Sequence, residues 1–245
     1  MKILGLDSSG IVASVAIVED ANLIAEYTVN YKKTHSQTLL PMLDELAKMT
    51  ELDLDTIDAI AVAAGPGSFT GLRIGSATAK GLGLALKKPL VEIPTVDALA
   101  YNLYDAKALI CPIMDARRSQ VYTGIYRFEE HKLVTVEAQM AVPMMELIDR
   151  LNARGEEVIF LGDGVPVFSK MIEENLKVPY SFAPAHVNKQ RAAAVAALGE
   201  IYLKEGREVA AVDHVPDYLR VSQAEREREQ KLQAEKAAGN KQETV

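Results

Sequence analysis

The sequence has a single cysteine and no histidine pattern suited to holding a metal. Cys111 by itself excludes an internal disulfide and any zinc site built from several thiolates. The four histidines are far apart, the nearest two being His186 and His214, and no H-x-x-x-H or H-E-x-x-H motif occurs. Cys111 lies in an apolar run, so we expect an inert core thiol. We expect His35 to form a cap or a hydrogen bond at the start of the first helix rather than to bind a metal.

The chain also lacks an excess of basic charge and long uncharged apolar runs. It carries 27 Lys and Arg against 34 Asp and Glu, a net charge of −7. Because phosphate contacts require Lys and Arg, this balance argues against a protein that mainly grips nucleic acid, but it leaves open a complex in which another subunit holds RNA. No uncharged apolar run approaches ~18 residues, and the start MKILGLDSSG leaves no room for a signal peptide. We therefore expect a cytoplasmic protein without a membrane span.

One stretch, Ala59–Leu86, stands out against this background. It contains an uncharged run typical of a buried strand, a Gly65-Pro66-Gly67 break, and a helical pattern from Phe69 onward. Glycine or alanine recurs every fourth residue of the helix, at Gly71, Gly75, Ala79 and Gly83. A helix with only two charges must be buried on nearly all sides, and each glycine within it costs about 1 kcal/mol relative to alanine. We predict that one side lies on its own sheet and the other meets a second helix layer, partly from another chain.

The remaining elements repeat one plan. Each half is predicted to follow the order β-β-β-α-β-α-β-α, the first over residues 1–107 and the second over 108–221. The first half has predicted strands Lys2–Leu6, Ser14–Val18, Leu23–Tyr31, Ala59–Ala64 and Leu90–Ile93, and predicted helices His35–Met49, Phe69–Leu86 and Val96–Tyr104. The second half has predicted strands Leu109–Met114, Val121–Tyr126, Lys132–Val136, Val158–Leu161 and Tyr180–Ala183, and predicted helices Pro143–Ala153, Val167–Asn175 and Arg191–Glu205. This duplicated α/β plan resembles the actin/hexokinase/Hsp70 fold. Residues 222–245 are dense in charge, and we interpret them as a solvated tail, helical or disordered.

The fold resemblance implies a nucleotide cleft between the halves, with an aspartate after the first strand of each half near the phosphates. Asp7 and Asp115 occupy those positions, and Ser8, Gly65 and Gly67 complete the candidate nucleotide site. The two loops lack the glycine and threonine usual for phosphate contacts, and the GPG turn matches neither G-x-G-x-x-G nor G-x-x-x-x-G-K-[ST]. We therefore favour a tight connection with close packing and do not expect unaided nucleotide turnover. A stand-alone kinase or phosphatase remains the alternative, and no G-x-S-x-G motif indicates a serine nucleophile.

Six segments, taken in order, resemble one protein family. They are LGLDSSG, HSQTLLPMLDEL, AVAAGPGSFTGLRIGSATAKGLGLAL, IPTVDALA, MDARRSQVYTGIY and PDYLR, and the likeness extends from Lys2 to about Arg220. The sequence is thereby similar to the TsaB family, also called YeaZ, whose catalytic paralogue is TsaD. TsaD carries two metal-binding histidines after the strand equivalent to Leu90–Ile93, whereas residues 94–100 read PTVDALA here. The resemblance implies a non-catalytic subunit that supports TsaD in threonylcarbamoyladenosine modification of the tRNA adenosine beside the anticodon. A metallopeptidase, the former grouping of both proteins, would require bound zinc.

The family resemblance also implies partners. These are a TsaD-like paralogue, a TsaE-like ATPase, a second copy of the chain when TsaD is missing, and tRNA only through the complex. No cofactor is implied for this chain, and ATP or ADP is implied only at the level of the complex. The expected interface residues, on the two helices that pair with TsaD in the family, are His35, Leu39, Leu40, Leu43, Leu72, Arg73, Gly75, Ser76, Ala79, Lys80 and Gly83. We expect Gly75→Leu or Ser76→Arg to abolish pairing and leave the monomer folded.

Overall fold

The computed structural model describes residues 1–31 and 34–220. The strands are β1 (Lys2–Asp7), β2 (Val12–Glu19), β3 (Asn22–Asn30), β4 (Ala59–Gly65), β5 (Leu90–Pro94), β6 (Leu109–Asp115), β7 (Gln120–Glu129), β8 (Lys132–Pro143), β9 (Val158–Leu161), β10 (Tyr180–Phe182) and β11 (Glu208–Val209). The helices are α1 (His35–Met49), α2 (Phe69–Leu86), α3 (Thr95–Tyr101), α4 (Met144–Arg154), α5 (Val165–Asn175) and α6 (Ala192–Lys204). The interpretation of residues 222–245 as a tail falls outside the described residues.

Every strand and helix predicted from the sequence is present, with ends that differ by a few residues. The largest difference is in β8, which continues to Pro143 because it pairs along the whole of β7, from Lys132 opposite Glu129 to Pro143 opposite Gln120. The short strand β11 was not predicted, since two residues carry no periodic signal. No helix within the described ranges has the length and apolar character needed to cross a membrane.

Two sheets share one strand arrangement. The first has the order β11-β5-β4-β1-β2-β3 and the second the order β10-β9-β6-β7-β8. In each sheet the leading strand of its half, β1 or β6, pairs parallel with one neighbour and antiparallel with the other. The duplicated α/β plan is therefore confirmed.

The first sheet is covered on both faces, which explains why its central strand β4 carries uncharged residues at every position. Alternate residues of β4 belong to different core clusters: Ile60 and Val62 pack with α1 and α2, whereas Ala61 and Ala63 pack with α6. The approach of α6 is close, because a Cβ on Gly199 would lie 2.5 Å from the Cβ of Ala61. The parallel strands thus have apolar partners on both sides.

The last elements of each half pack on the sheet of the other half. Helix α6 and strand β11 come from the second half of the sequence but pack on the first sheet, while α3 contacts β6 and β7 of the second sheet. At this junction Asp97 accepts hydrogen bonds from the hydroxyls of Tyr126 at 2.7 Å and Tyr202 at 3.2 Å. The predicted division into halves 1–107 and 108–221 stays a prediction.

Candidate functional site: a cleft and a helical face

A cleft of about 520 Å³ lies between the two halves. Its walls come from the loop after β1, the first turn of α2, the end of β6 and residues 217–220. Of the residues predicted for a nucleotide site, Gly67 and Asp115 line the cleft. The other three, Asp7, Ser8 and Gly65, are buried behind the cleft wall.

The carboxylate of Asp7 is turned into its own loop. Its Oδ1 accepts the N–H of Ser9 at 2.9 Å and the hydroxyl of Ser9 at 2.6 Å, and its buried Oδ2 has no hydrogen-bond partner among the described residues. Burial raises the pKa of Asp7 to about 6, because desolvation of the charged form outweighs the Ser9 hydrogen bonds and the nearby His35. Nε2 of His35 lies 2.8 Å from the carbonyl oxygen of Gly10, so the predicted hydrogen-bonding role at the start of α1 is confirmed.

Asp115 is also held by its own loop. Its Oδ1 accepts the N–H of Arg117 at 2.8 Å, and the Arg117 guanidinium lies 3.2 Å from Oδ2. Burial raises the pKa of the adjacent Asp163, whose Oδ1 accepts the N–H of Asp115 at 3.4 Å. Asp115, Asp163 and Asp217 all line the cleft, together with Arg117 and Arg220. A phosphate entering here would meet three carboxylates as well as the two arginine side chains, of which Arg117 already pairs with Asp115 and Arg220 donates to the carbonyl of Ala116 at 2.6 Å.

Two amides at the start of α2 are bonded within the chain. The N–H of Ser68 donates to the carbonyl of Ser9 at 2.7 Å, and the Ser68 hydroxyl caps the helix by accepting from the N–H of Gly71 at 3.3 Å. A Cβ on Gly67 would lie 2.3 Å from the Ser9 carbonyl oxygen. These contacts agree with the interpretation of the glycine turn as a tight, closely packed connection.

The small-residue stripe of α2 packs inside the chain. A Cβ on Gly71 would lie 2.1 Å from the carbonyl oxygen of Ser8, and one on Gly75 would lie 2.4 Å from the Ser8 hydroxyl oxygen. A Cβ on Gly83 would lie 2.8 Å from the Cβ of Ala211. The prediction that this stripe meets a second helix layer from another chain is wrong at these positions, because the loop after β1 and residue 211 occupy the space.

The residues expected at a partner interface fall into two groups. Seven are buried within the chain: Leu39, Leu43, Leu72, Gly75, Ser76, Ala79 and Gly83. Their expected outward orientation is wrong, because α1 and α2 turn these side chains toward the first sheet, the loop after β1 and residues 211–214. The others, Leu40, Arg73, His35 and Lys80, are exposed or half-buried. The expectation that Gly75→Leu and Ser76→Arg would leave the monomer folded loses its basis, since both residues lack free space.

Sequence reasoning missed the side of α2 that does face outward. We call it the outward face: Thr70, Ile74, Ala77, Gly81, Leu84 and Ala85, with Leu40 of α1. Leu40 and Leu84 are 51 % and 60 % exposed. A Cβ on Gly81 would meet no atom within 4 Å, so no contact in the described chain requires glycine at this helical position. The helical spacing of these small and apolar residues was visible in the sequence, but it overlapped the buried stripe.

A second missed feature is an irregular segment, residues 210–220, which we call the C-terminal strap. It bridges both halves: the N–H of Asp217 donates to the carbonyl of Ala64 at 2.7 Å, and Gln139 donates to the Asp217 carboxylate at 2.6 Å. The ring of Tyr218 lies 4.5 Å from that of Phe69, centroid to centroid, at the start of α2. The strap therefore forms one wall of the cleft and one flank of α2.

Comparisons with known proteins agree with this fold. The family model described as "TsaD: tRNA N6-adenosine threonylcarbamoyltransferase" matches residues 22–228. The chain is 35 % identical over 225 residues to the tRNA threonylcarbamoyladenosine biosynthesis protein TsaB of Bacillus subtilis strain 168, covering 92 % of this chain and 96 % of that protein. It is 30 % identical over 167 residues to TsaB of Escherichia coli K12, covering 67 % and 72 %.

Solved structures extend the likeness to three dimensions. The structure of YeaZ from Pseudomonas aeruginosa superposes with a TM-score of 0.77 at 25 % identity, covering 89 % of this chain and 99 % of that one. An inorganic polyphosphate/ATP-glucomannokinase from Arthrobacter sp. strain KM, with a TM-score of 0.50 at 17 % identity over 83 % and 99 % of the chains, shares the fold alone. The chain belongs to the TsaB family, whose named members act in tRNA threonylcarbamoyladenosine biosynthesis.

Proposed function

We propose that this chain is a non-catalytic docking subunit that pairs with a TsaD-like transferase through the outward face. The observation that carries the proposal is Gly81. Glycine within a helix costs about 1 kcal/mol relative to alanine, and among the described residues no atom lies close enough to Gly81 to offset this cost. A partner backbone that crosses α2 at Gly81 would explain why glycine occupies this position. Burial of Leu40 and Leu84 beside the crossing would stabilise the complex by roughly 25 cal/mol per Å² of apolar area removed from water.

We propose a TsaD-like subunit as the partner because its sequence is related to that of this chain. A tRNA N6-adenosine threonylcarbamoyltransferase of Fervidobacterium nodosum is 35 % identical over 152 residues, or 56 % of this chain. Two related chains that present equivalent helix pairs can form a pseudo-twofold contact, and two copies of this chain can do the same when the relative is missing.

The non-catalytic part of the proposal rests on the cleft. The Asp7 and Asp115 carboxylates accept hydrogen bonds from their own loops. The two arginines of the cleft are also engaged, Arg117 with Asp115 and Arg220 with the carbonyl of Ala116. These contacts support a cleft that is not organised to hold phosphate. We propose that the chain acts in the cytoplasm without a cofactor of its own. A TsaE-like ATPase would join the complex, ATP or ADP would bind only within it, and tRNA would be reached only through the complex.

Two variants of the outward face test the docking. Gly81→Leu and Leu84→Glu are expected to raise the Kd for the TsaD paralogue of the same organism by about ten-fold or more, as measured by calorimetry with the purified full-length chains. The matched control is Ile201→Glu on α6, which is also exposed but lies on the opposite side of the first sheet. Unchanged Kd values for both face variants, with native circular dichroism spectra, would refute the proposed face.

A turnover assay separates this proposal from a stand-alone kinase or phosphatase. The purified chain is expected to release no phosphate from ATP above the background of an Asp7→Ala variant. Robust hydrolysis that disappears in Asp7→Ala would favour the enzyme over the docking subunit.

A further inference from the structure

The C-terminal strap turns a polar side chain inward and apolar side chains outward. His214 is 1 % exposed, whereas Val212 and Val215 are 65 % and 66 % exposed. This order is the reverse of what burial in the monomer favours, because an apolar side chain gains free energy on leaving water and a buried imidazole must be hydrogen-bonded. The two exposed valines are therefore available for contact with another molecule.

Side chains of α2 and β5 fix the strap in this orientation. Nδ1 of His214 lies 2.6 Å from the Glu92 carboxylate, and Nε2 lies 2.6 Å from the hydroxyl of Ser76. The ammonium of Lys80 donates to the carbonyls of Val212 at 2.9 Å and His214 at 3.0 Å. A serine–histidine–carboxylate chain can activate a nucleophile, but Ser76 is buried and does not line the cleft. These hydrogen-bonded side chains instead hold the irregular backbone of the strap in place.

The strap continues the outward face. One stripe of α2, directly beside Gly81 and Leu84, contacts the strap: Phe69, Arg73, Ser76, Lys80 and Gly83. With 15 and 18 residues, α1 and α2 extend about 22 and 27 Å and are each about 10 Å wide, so together they offer roughly 500 Å². A standard interface covers about 800 Å² on each partner, and a strap lying along α2 adds part of the difference.

We propose that the C-terminal strap is a third ridge of the docking surface, on which Val212 and Val215 contact the TsaD-like subunit directly. His214, Ser76 and Glu92 act as positioning residues that hold the ridge without touching the partner. The exposed apolar side chains suit a protein subunit rather than tRNA, whose phosphates would require Lys and Arg. This inference rests on the proposed function and adds to it the residues beyond the two helices.

The test measures the Kd for the TsaD paralogue with the full chain. The double variant Val212→Ser/Val215→Ser is expected to raise Kd by at least about ten-fold without lowering the Tm of the free chain, because both side chains are exposed. The matched control is Ile201→Ser, expected to change Kd by less than about two-fold. His214→Ala is expected to raise Kd similarly and to speed hydrogen exchange of the amides of residues 210–220 in the free chain.

The outcomes separate this inference from the docking proposal. If Leu84→Glu loses binding while the double valine variant binds normally, the strap is not part of the surface, and the proposed function stands. Loss of binding in His214→Ala alone, without loss in the valine variant, likewise overturns the direct contact. If Leu84→Glu and the strap variants all bind normally, both proposals fail.

Discussion

Alanine at Gly71 and alanine at Gly81 are expected to change stability in opposite directions. At Gly81 the added Cβ meets no atom of residues 1–31 and 34–220 within 4 Å, so the free energy of unfolding should rise by up to about 1 kcal/mol from helix propensity alone. At Gly71 the same Cβ would lie 2.1 Å from the Ser8 carbonyl oxygen, and the Ser8 hydroxyl donates to the Gly71 carbonyl at 2.9 Å. The loop after β1 would have to move by more than 1 Å, at an overpacking cost of about 1 to 3 kcal/mol and with the loss of a hydrogen bond worth about 1 kcal/mol.

Because the helix-propensity gain applies at both positions, the two variants should differ in stability by the overpacking cost and the lost hydrogen bond, about 2 to 4 kcal/mol. Urea unfolding at a concentration where the chain is monomeric measures this difference, and equal m-values would establish that both variants unfold from the same native state. Stability and binding should change in opposite directions at Gly81: Gly81→Ala is expected to be more stable than the parent chain yet to bind the TsaD paralogue more weakly. A destabilised Gly81→Ala variant, or a stabilised Gly71→Ala variant, would refute the orientation of α2 on which the outward face depends.

Three further predictions concern buried groups. The pKa of Asp7 is raised from 3.8 to about 6, so ionisation of this carboxyl lowers the stability of the fold as pH rises between those values. Asp7→Asn should therefore stabilise the chain by about 2 to 3 kcal/mol at pH 8 but not at pH 3.5. Equal gains at both pH values would contradict this. Tyr126→Phe removes one donor from the buried Asp97 and should cost about 1 to 3 kcal/mol by urea unfolding, whereas no loss would mean that Tyr202 suffices. Burial raises the pKa of Cys111 to about 12, so native protein should resist iodoacetamide at pH 8 and react after unfolding, and fast native labelling would refute that burial.

The sequence predicted the elements well because each leaves a local signal. The uncharged run Ala59–Ala64 and the spacing of leucines in α1 are local patterns, and both elements are present. The assignment of α6 to the first sheet could not be predicted, because it depends on which sheet lies nearby after the chain has folded. The C-terminal strap was missed for another reason, since its position depends on side chains of α2 and β5 rather than on its own periodicity.

The side of α2 that faces outward was predicted wrongly for a physical reason. Leucine, alanine and glycine surround nearly the whole helix, so polarity does not separate its sides. Gly75 and Gly81 look alike in the sequence, yet one lies against Ser8 and the other against open space. Only the neighbours of each missing Cβ distinguish a glycine that the monomer requires from one that it does not.

The close packing at the start of α2 also bears on why the cleft and the helical face have different roles. A phosphate held by a glycine turn needs a gap between the helix start and the facing loop, together with free N–H groups. Here Gly67 and Gly71 bring that loop so near that even a methyl group would overlap Ser9 and Ser8, and the Ser68 amide is bonded across the contact. These contacts leave no room for a phosphate between the helix start and the loop after β1, although the cleft itself stays open beside them. A helix packed closely on one side, with a glycine on its far side that meets no atom of the described residues within 4 Å, supports the proposed docking of another subunit on α2.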